Sequence, residues 1–233
     1  MIKFENVTKI YPGTSLPAVD NLSFTVPTGE ICTIVGPSGC GKTTAIKLVN
    51  RLHDPTEGEI FVLDEHGEMR NILAMDPIVL RRSIGYVIQQ IGLFPHRTIL
   101  ENIGTVPQML GWDEARIHAR AAELVEMMNM PVEFLDRFPH ELSGGQRQRI
   151  GVARGMATDP PVMLMDEPFG AIDPINRNSL QNEFLRLQRE IKKTILFVTH
   201  DIDEAIKMGD KICILNVGGR LEQFDSPANI LSH

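Results

Sequence analysis

Apolar and polar positions alternate through the opening of the chain. Ile2 and Phe4 alternate with Lys3 and Glu5, and Leu22, Phe24 and Val26 alternate with Ser23 and Thr25. A period of two puts every other side chain on one face, so both stretches predict half-buried strands. Tyr11-Pro12-Gly13 marks a turn between them. The pattern then changes. Residues 31–35 form a short, mostly apolar run closed by Gly36, which predicts a strand buried on both faces. Over 42–51, Ile46, Val49 and Asn50 fall about one helical turn apart. Residues 53–58 are a turn cluster, and 59–63 predicts another strand. Asp76-Pro77 has the form of an N-cap followed by the first helical residue. Residues 84–88 are a further apolar strand candidate.

From about 91 to 158 the strand signal disappears. Over 113–129, Ile117, Ala121, Leu124 and Met128 share one helical face. This predicts an inserted helical subdomain, with Met127, Met128 and Met130 as core filler. Alternation of strand and helix resumes after Pro161. Residues 162–165 and 195–198 read as short buried strands, 174–191 and 201–208 as helices. Asp201 and Glu204 have capping-box spacing. Residues 212–215, the turn Gly218-Gly219 and 221–224 predict a final hairpin. Ser226-Pro227 opens one more short helix. Strands alternating with helices place the chain in the α/β class with a central, mainly parallel sheet.

Composition narrows the functional classes. A chain of 233 residues, 42% hydrophobic, supplies one substantial core and too little for two large domains. Net charge is −7, with both signs mixed along the chain. That argues against a nucleic-acid surface, which needs a basic patch. Cys32, Cys40 and Cys213 form no CxxC pair, so neither a disulfide framework nor a zinc site is expected. Their use fits a reducing compartment. The opening MIKFENVTKI has no apolar stretch of signal-peptide length, and no run approaches the ~18 apolar residues of a membrane span. Any membrane role is expected to come through a partner.

Three segments carry chemistry. Gly36-Pro37-Ser38-Gly39-Cys40-Gly41-Lys42-Thr43 matches G-x-x-x-x-G-K-[ST] between a predicted strand and a predicted helix. The glycines let successive backbone N–H groups face a phosphate, and the helix presents its positive end to the same place. Lys42 adds a point charge for the β- and γ-phosphates of ATP, Thr43 a hydroxyl for Mg²⁺, and Thr44 reaches another phosphate oxygen. The apolar strand 162–165 ends in Asp166 and Glu167. Beside a phosphate loop, Asp166 is expected to hold Mg²⁺ and Glu167 to polarise the attacking water. Leu142-Ser143-Gly144-Gly145-Gln146 precedes a helix carrying Ile150, Val152 and Ala153. Ser143 can cap that helix, and the glycines let amides approach an anion. This is a second phosphate-binding helix start, about twenty residues before Asp166, too close to be the phosphate loop of the same domain.

With these segments the chain resembles an ATP-binding cassette (ABC) ATPase over essentially its whole length. The resemblance implies a P-loop fold: a RecA-like core with an N-terminal antiparallel β subdomain at 1–90 and 159–233, and a helical signalling subdomain at about 91–158. It implies that Ser143, Gly144, Gly145 and Gln146 complete the ATP site of a second copy in a head-to-tail dimer. Tyr11 resembles the aromatic that stacks on adenine. Gln89, after Tyr86-Val87-Ile88, stands at the position that touches Mg²⁺ and the attacking water, with neighbouring Gln90 as an alternative register. Asp173, in Gly170-Ala171-Ile172-Asp173, matches the loop between the two copies, and His200, after Phe197-Val198-Thr199, the histidine that contacts the γ-phosphate. The departures are Ile172 and Gly155, the latter where the family favours alanine. Glycine there loosens the helix by up to ~1 kcal/mol.

Val87-Ile88-Gln89-Gln90-Ile91-Gly92-Leu93-Phe94-Pro95-His96, with Asn50-Arg51-Leu52 and Phe169-Gly170-Ala171-Ile172-Asp173-Pro174, is similar to ATPases of bacterial osmoprotectant importers. That similarity implies uptake of a quaternary amine such as glycine betaine, carnitine or choline. It also implies permease subunits in the membrane, an external binding protein, and a place at the cytoplasmic face of the cell membrane. Leu93 and Phe94 are expected to be exposed, with Phe94 and Pro95 facing the permease; the alternative is that both are buried under the helical subdomain. Related ATPases often continue into a CBS-type regulatory region. Three alternatives stand beside this one: an importer ATPase for another small solute, a soluble ABC protein of DNA repair or translation, and a nucleotide-binding regulator. The soluble class usually carries two cassettes or a long coiled coil, and no sustained heptads occur here. The regulator requires loss of the catalytic Glu or His, and both are present.

Overall fold

The computed structural model describes residues 1–232 apart from 65, 90, 91, 171 and 173, and describes 174–176 by their backbone only. In chain order the elements are β1 (Ile2–Lys9), β2 (Val19–Val26), β3 (Ile31–Val35), α1 (Lys42–Val49), β4 (Glu57–Leu63), β5 (Met69–Asn71), α2 (Pro77–Ser83) and β6 (Ile84–Val87). There follow α3 (Ile99–Ile103), α4 (Thr105–Met109), α5 (Glu114–Met127), α6 (Gly144–Gly155), β7 (Val162–Asp166) and α7 (Pro174–Ile191). The chain closes with β8 (Thr194–Val198), α8 (Ile202–Met208), β9 (Lys211–Leu215), β10 (Leu221–Asp225) and α9 (Pro227–Ile230).

These elements group into two compact units. The first is Met1–Ile84, Pro161–Glu167 and Lys192–His233; the second is Gly85–Pro160 and Pro168–Ile191. The sequence boundaries put 168–191 with the core, whereas in the structure α7 groups with the helices. The reason is local: Phe184 packs its ring on Phe169 at 6.2 Å, and Glu183 pairs with Arg149 of α6.

The first unit contains two sheets. One is antiparallel in the order β2-β1-β4-β5. Its strands alternate, with Ile2, Phe4, Leu22, Phe24 and Val26 buried and their neighbours less so, as a sheet with one covered face requires. In the other, β9, β3, β8 and β7 lie side by side, all parallel, and β10 closes an antiparallel hairpin on β9. Every residue of β3, β7 and β8 is buried. This is why those segments read as short runs dominated by apolar residues. Parallel neighbours point their carboxyl ends the same way, so Gly36, Asp166 and Thr199 emerge at one edge of the sheet.

The second unit is helical over 99–155. Helix α5 buries Ala121, Leu124 and Val125, and Met128 and Met130 are buried just beyond it. Asn102 of α3 is fully buried and unusual in what it binds. Its Oδ1 accepts from Phe94 N at 2.7 Å, and its Nδ2 donates to the carbonyls of Phe94, Arg97 and Thr98. One amide thereby satisfies the backbone of the loop before α3. On that loop Phe94 is exposed, its ring 5.1 Å from the Arg97 guanidinium, while Leu93 is only half-exposed. Among the described residues no helix is long and apolar enough to cross a membrane.

Candidate nucleotide site

The loop from Gly36 to Thr43 joins buried β3 to α1. Gly41 takes φ +97°, and a Cβ there would run into the Ala18 carbonyl, so only glycine fits. Gly39, at φ +80°, faces open space. Helix α1 has no side-chain cap at its N-terminus, which leaves its first amides available to an anion. Lys42 is buried and its Nζ donates to the carbonyls of Gly36 at 2.7 Å and Pro37 at 3.0 Å. The ammonium is therefore fixed within the loop rather than waving in solvent. An open glycine cradle, free amides and a fixed cation suit a polyphosphate.

The neighbouring strands supply the remaining groups of this unit. Thr43 Oγ1 donates to Asp166 Oδ1 at 3.3 Å across the ends of α1 and β7. Burial pushes the Asp166 carboxyl above its ordinary pKa, and the Thr43 hydrogen bond only partly offsets this. A buried carboxylate beside a hydroxyl is an oxygen set suited to Mg²⁺. No group of three or more His, Cys, Asp or Glu occurs among the described residues, so the cation would take its other ligands from phosphate and water. Glu167 has φ +46°, a left-handed conformation rare for a non-glycine residue. Its amide donates to Val198 O at 2.9 Å and its Oε2 lies 3.1 Å from His200 Nδ1. Glu167 and His200 thus form a pair at the ends of adjacent β7 and β8. Tyr11 stands on the turn after β1, its ring edge-on to His53 at 5.2 Å and its hydroxyl 3.4 Å from Thr44 Oγ1.

The other predicted residues belong to the second unit. Ser143 caps α6 in a full capping box: its Oγ accepts from Gln146 N, and Gln146 Oε1 accepts from Ser143 N. Ser143, Gly144, Gly145 and Gln146 line a pocket of about 370 Å³. Gln89 is exposed just past β6. Asp173 lies outside the described residues, as does the alternative Gln90.

The family model for ABC transporters matches residues 19–170, which hold the phosphate loop, the capped glycine helix and both carboxylates. This chain belongs to the ABC transporter family. Curated relatives agree. The carnitine transport ATP-binding protein OpuCA of Listeria monocytogenes is 57% identical over 99% of this chain and 56% of its own length. The osmoprotectant import ATP-binding protein OsmV of Salmonella typhimurium is 56% identical over 100% of this chain and 60% of its own length. The chain thus spans a little over half the length of the curated relatives it matches. Among solved structures, the ATP-binding cassette MJ0796, a dimer bound to ADP and Pi in a post-hydrolysis state, is 33% identical with a TM-score of 0.83. That match covers 97% of this chain and 99% of the other.

Several structural contacts around the site had little or no signal in the sequence. Ala18 walls the phosphate loop with a backbone carbonyl, a role independent of side-chain type. Asn102 carries a weak signal, an amide one turn after Thr98 in the predicted helical region, where it organises the loop of Phe94. The pairing of Arg149 with Glu183 joins residues far apart in sequence and has no local signature.

Proposed function

We propose that this chain hydrolyses ATP as the engine subunit of a bacterial importer of a quaternary-amine osmoprotectant, and works as two head-to-tail copies. One observation carries the catalytic part: the Glu167–His200 pair, at 3.1 Å, sits beside Thr43, Asp166 and the phosphate loop. Lys42 and the α1 amides would bind the β- and γ-phosphates. Bound Mg²⁺, held by Thr43 and Asp166, would neutralise phosphate charge. Glu167 orients a water and accepts its proton as the water oxygen bonds to the γ-phosphorus. The bond to the bridging oxygen breaks, leaving ADP and phosphate. His200 holds the Glu167 carboxylate in place and can itself reach the γ-phosphate.

Capping supports the second half of the site. The cap uses a lone pair of Ser143 Oγ, so the hydroxyl proton remains free to donate to a phosphate of the other copy. Nucleotide bound between the copies favours the closed pair, and hydrolysis releases it. Gln89, and Asp173 between the copies, would relay this state, with Phe94 and Pro95 meeting the permease and an external protein delivering cargo. The solute class rests on the similarity to transport ATP-binding proteins for carnitine, choline and glycine betaine. The test is Glu167→Gln: ATP binding is retained, hydrolysis falls at least 100-fold, and ATP traps a dimer in size-exclusion chromatography. Hydrolysis at the wild-type rate would remove Glu167 from the role of base.

A further inference from the structure

The second unit contains an ion pair that touches none of the reacting groups. Arg149 stands on α6, four residues after Gly145. Its Nη1 donates to Met128 O at 2.9 Å, at the C-cap of α5, and its Nη2 lies 3.1 Å from Glu183 Oε2 on α7. Nearer the start of α6, a Cβ on Gly145 would stand 3.6 Å from Leu180 Cδ1, an ordinary van der Waals contact. Gly145 and Arg149 share one face of α6, and Leu180 and Glu183 share one face of α7. Leu180 therefore lies over the glycine turn of α6, and the ion pair joins the two helices one turn further on.

Between them the packing is incomplete. Arg149 and Leu180 line both the pocket of Ser143 and a second cavity of about 30 Å³. Gln148 also lines that cavity, and its buried Nε2 has no acceptor among the described residues. Such a volume holds about two waters. An interface with a void has lost dispersion contacts, so apolar packing alone sets the helix angle weakly. The planar guanidinium fork supplies what is missing. It engages a carbonyl of one element and a carboxylate of another, and so opposes both rotation and sliding of α6.

On the premise that two copies pair about nucleotide, we propose that Arg149 and Glu183 are positioning residues. They set the angle of α6 and thereby aim Ser143, Gly144 and Gly145 at the nucleotide held by the other copy. Both side chains are partly exposed, so the pair adds little to folding. Its effect falls on geometry, where a misplacement of 1 Å costs on the order of 100-fold.

The experiment uses the full chain in the Glu167→Gln background and measures ATP-dependent dimerisation by analytical ultracentrifugation. Adding Glu183→Ala is expected to weaken the dimer about tenfold or more, within that geometric cost. Fluorescent-ATP binding to the monomer should be unchanged and Tm should stay within about 2 °C, as for a partly exposed pair. Glu183→Asp should recover most of the dimer. With Glu167 restored, Glu183→Ala should raise the ATP KM while kcat at saturation falls less. Dimerisation equal to that of the Glu167→Gln parent overturns the proposal. So does a loss of dimer that follows an equal fall in monomer nucleotide binding or Tm, or one that Glu183→Asp leaves unrescued. If the Glu167→Gln parent itself forms no dimer with ATP, the paired-copy reading fails first and this proposal with it.

Discussion

Asp166 is tuned against its own fold. Burial raises its pKa, so between the ordinary aspartate value and the raised one the native state binds more protons than the unfolded chain. Stability from this group is therefore greatest at low pH and falls as pH rises through that window. At neutral pH the carboxylate is a net cost until a cation meets it. Asp166→Asn should raise the Tm of the nucleotide-free protein by about 2–4 °C, the shift that 1 kcal/mol gives a domain of this size. The same variant should lose most Mg²⁺-dependent ATPase activity. Scanning fluorimetry at several pH values checks this: the Tm advantage should shrink as pH falls below the window. An advantage that is constant with pH would mean that burial of charge is not its source.

The same contrast decides which residues could be read in advance. Lys42, Thr43, Asp166 and Glu167 announce themselves because their chemistry needs fixed spacing after a buried strand. Glu167's left-handed backbone and its bond to His200 had no such marker, since they depend on β7 and β8 becoming neighbours.

At the scale of elements, α6 starts with two glycines, poor helix formers, and relies on its cap. Ser143→Ala should cost about 1 kcal/mol of stability and also weaken ATP-dependent dimerisation. Ser143→Asp separates the two roles. It restores an N-cap acceptor, so Tm returns towards wild type, but it sets a carboxylate against the partner's phosphate and should abolish the dimer. Calorimetry alongside sedimentation distinguishes them, and a Ser143→Asp variant that dimerises normally would remove Ser143 from nucleotide contact. Strands β3, β7 and β8 were legible as short, mainly apolar runs, and the hairpin of β9 and β10 by its Gly218-Gly219 turn. The grouping of α7 with the helices was not. It follows from Phe184 and Glu183 meeting Phe169 and Arg149, contacts that periodicity within one helix does not encode.

For the whole molecule, the proposed function divides the site: the unit of the phosphate loop and the unit of the capped glycine helix would each supply half of what hydrolysis needs. Isolated ATP binding should therefore be hyperbolic, whereas turnover should rise more steeply than linearly with protein concentration until copies pair. On the importer reading, solute choice lies with other subunits. Reconstituted with the permease and binding protein that reading requires, the chain should drive uptake of labelled betaine, carnitine or choline, with an amino acid as control. Uptake of the amino acid alone would refute the osmoprotectant assignment while leaving the ATPase intact.

The close approach of Gly41 to the Ala18 carbonyl has one more consequence. Ala18 N is itself bonded to Lys9 O at 2.8 Å, two residues before Tyr11, whose hydroxyl reaches Thr44. The turn of Tyr11 and the phosphate loop are thus tied to one another through main chain. Were Tyr11 to stack on a base, the two would act as a calliper of fixed gap, gauging the span from ring to phosphate before any chemistry begins.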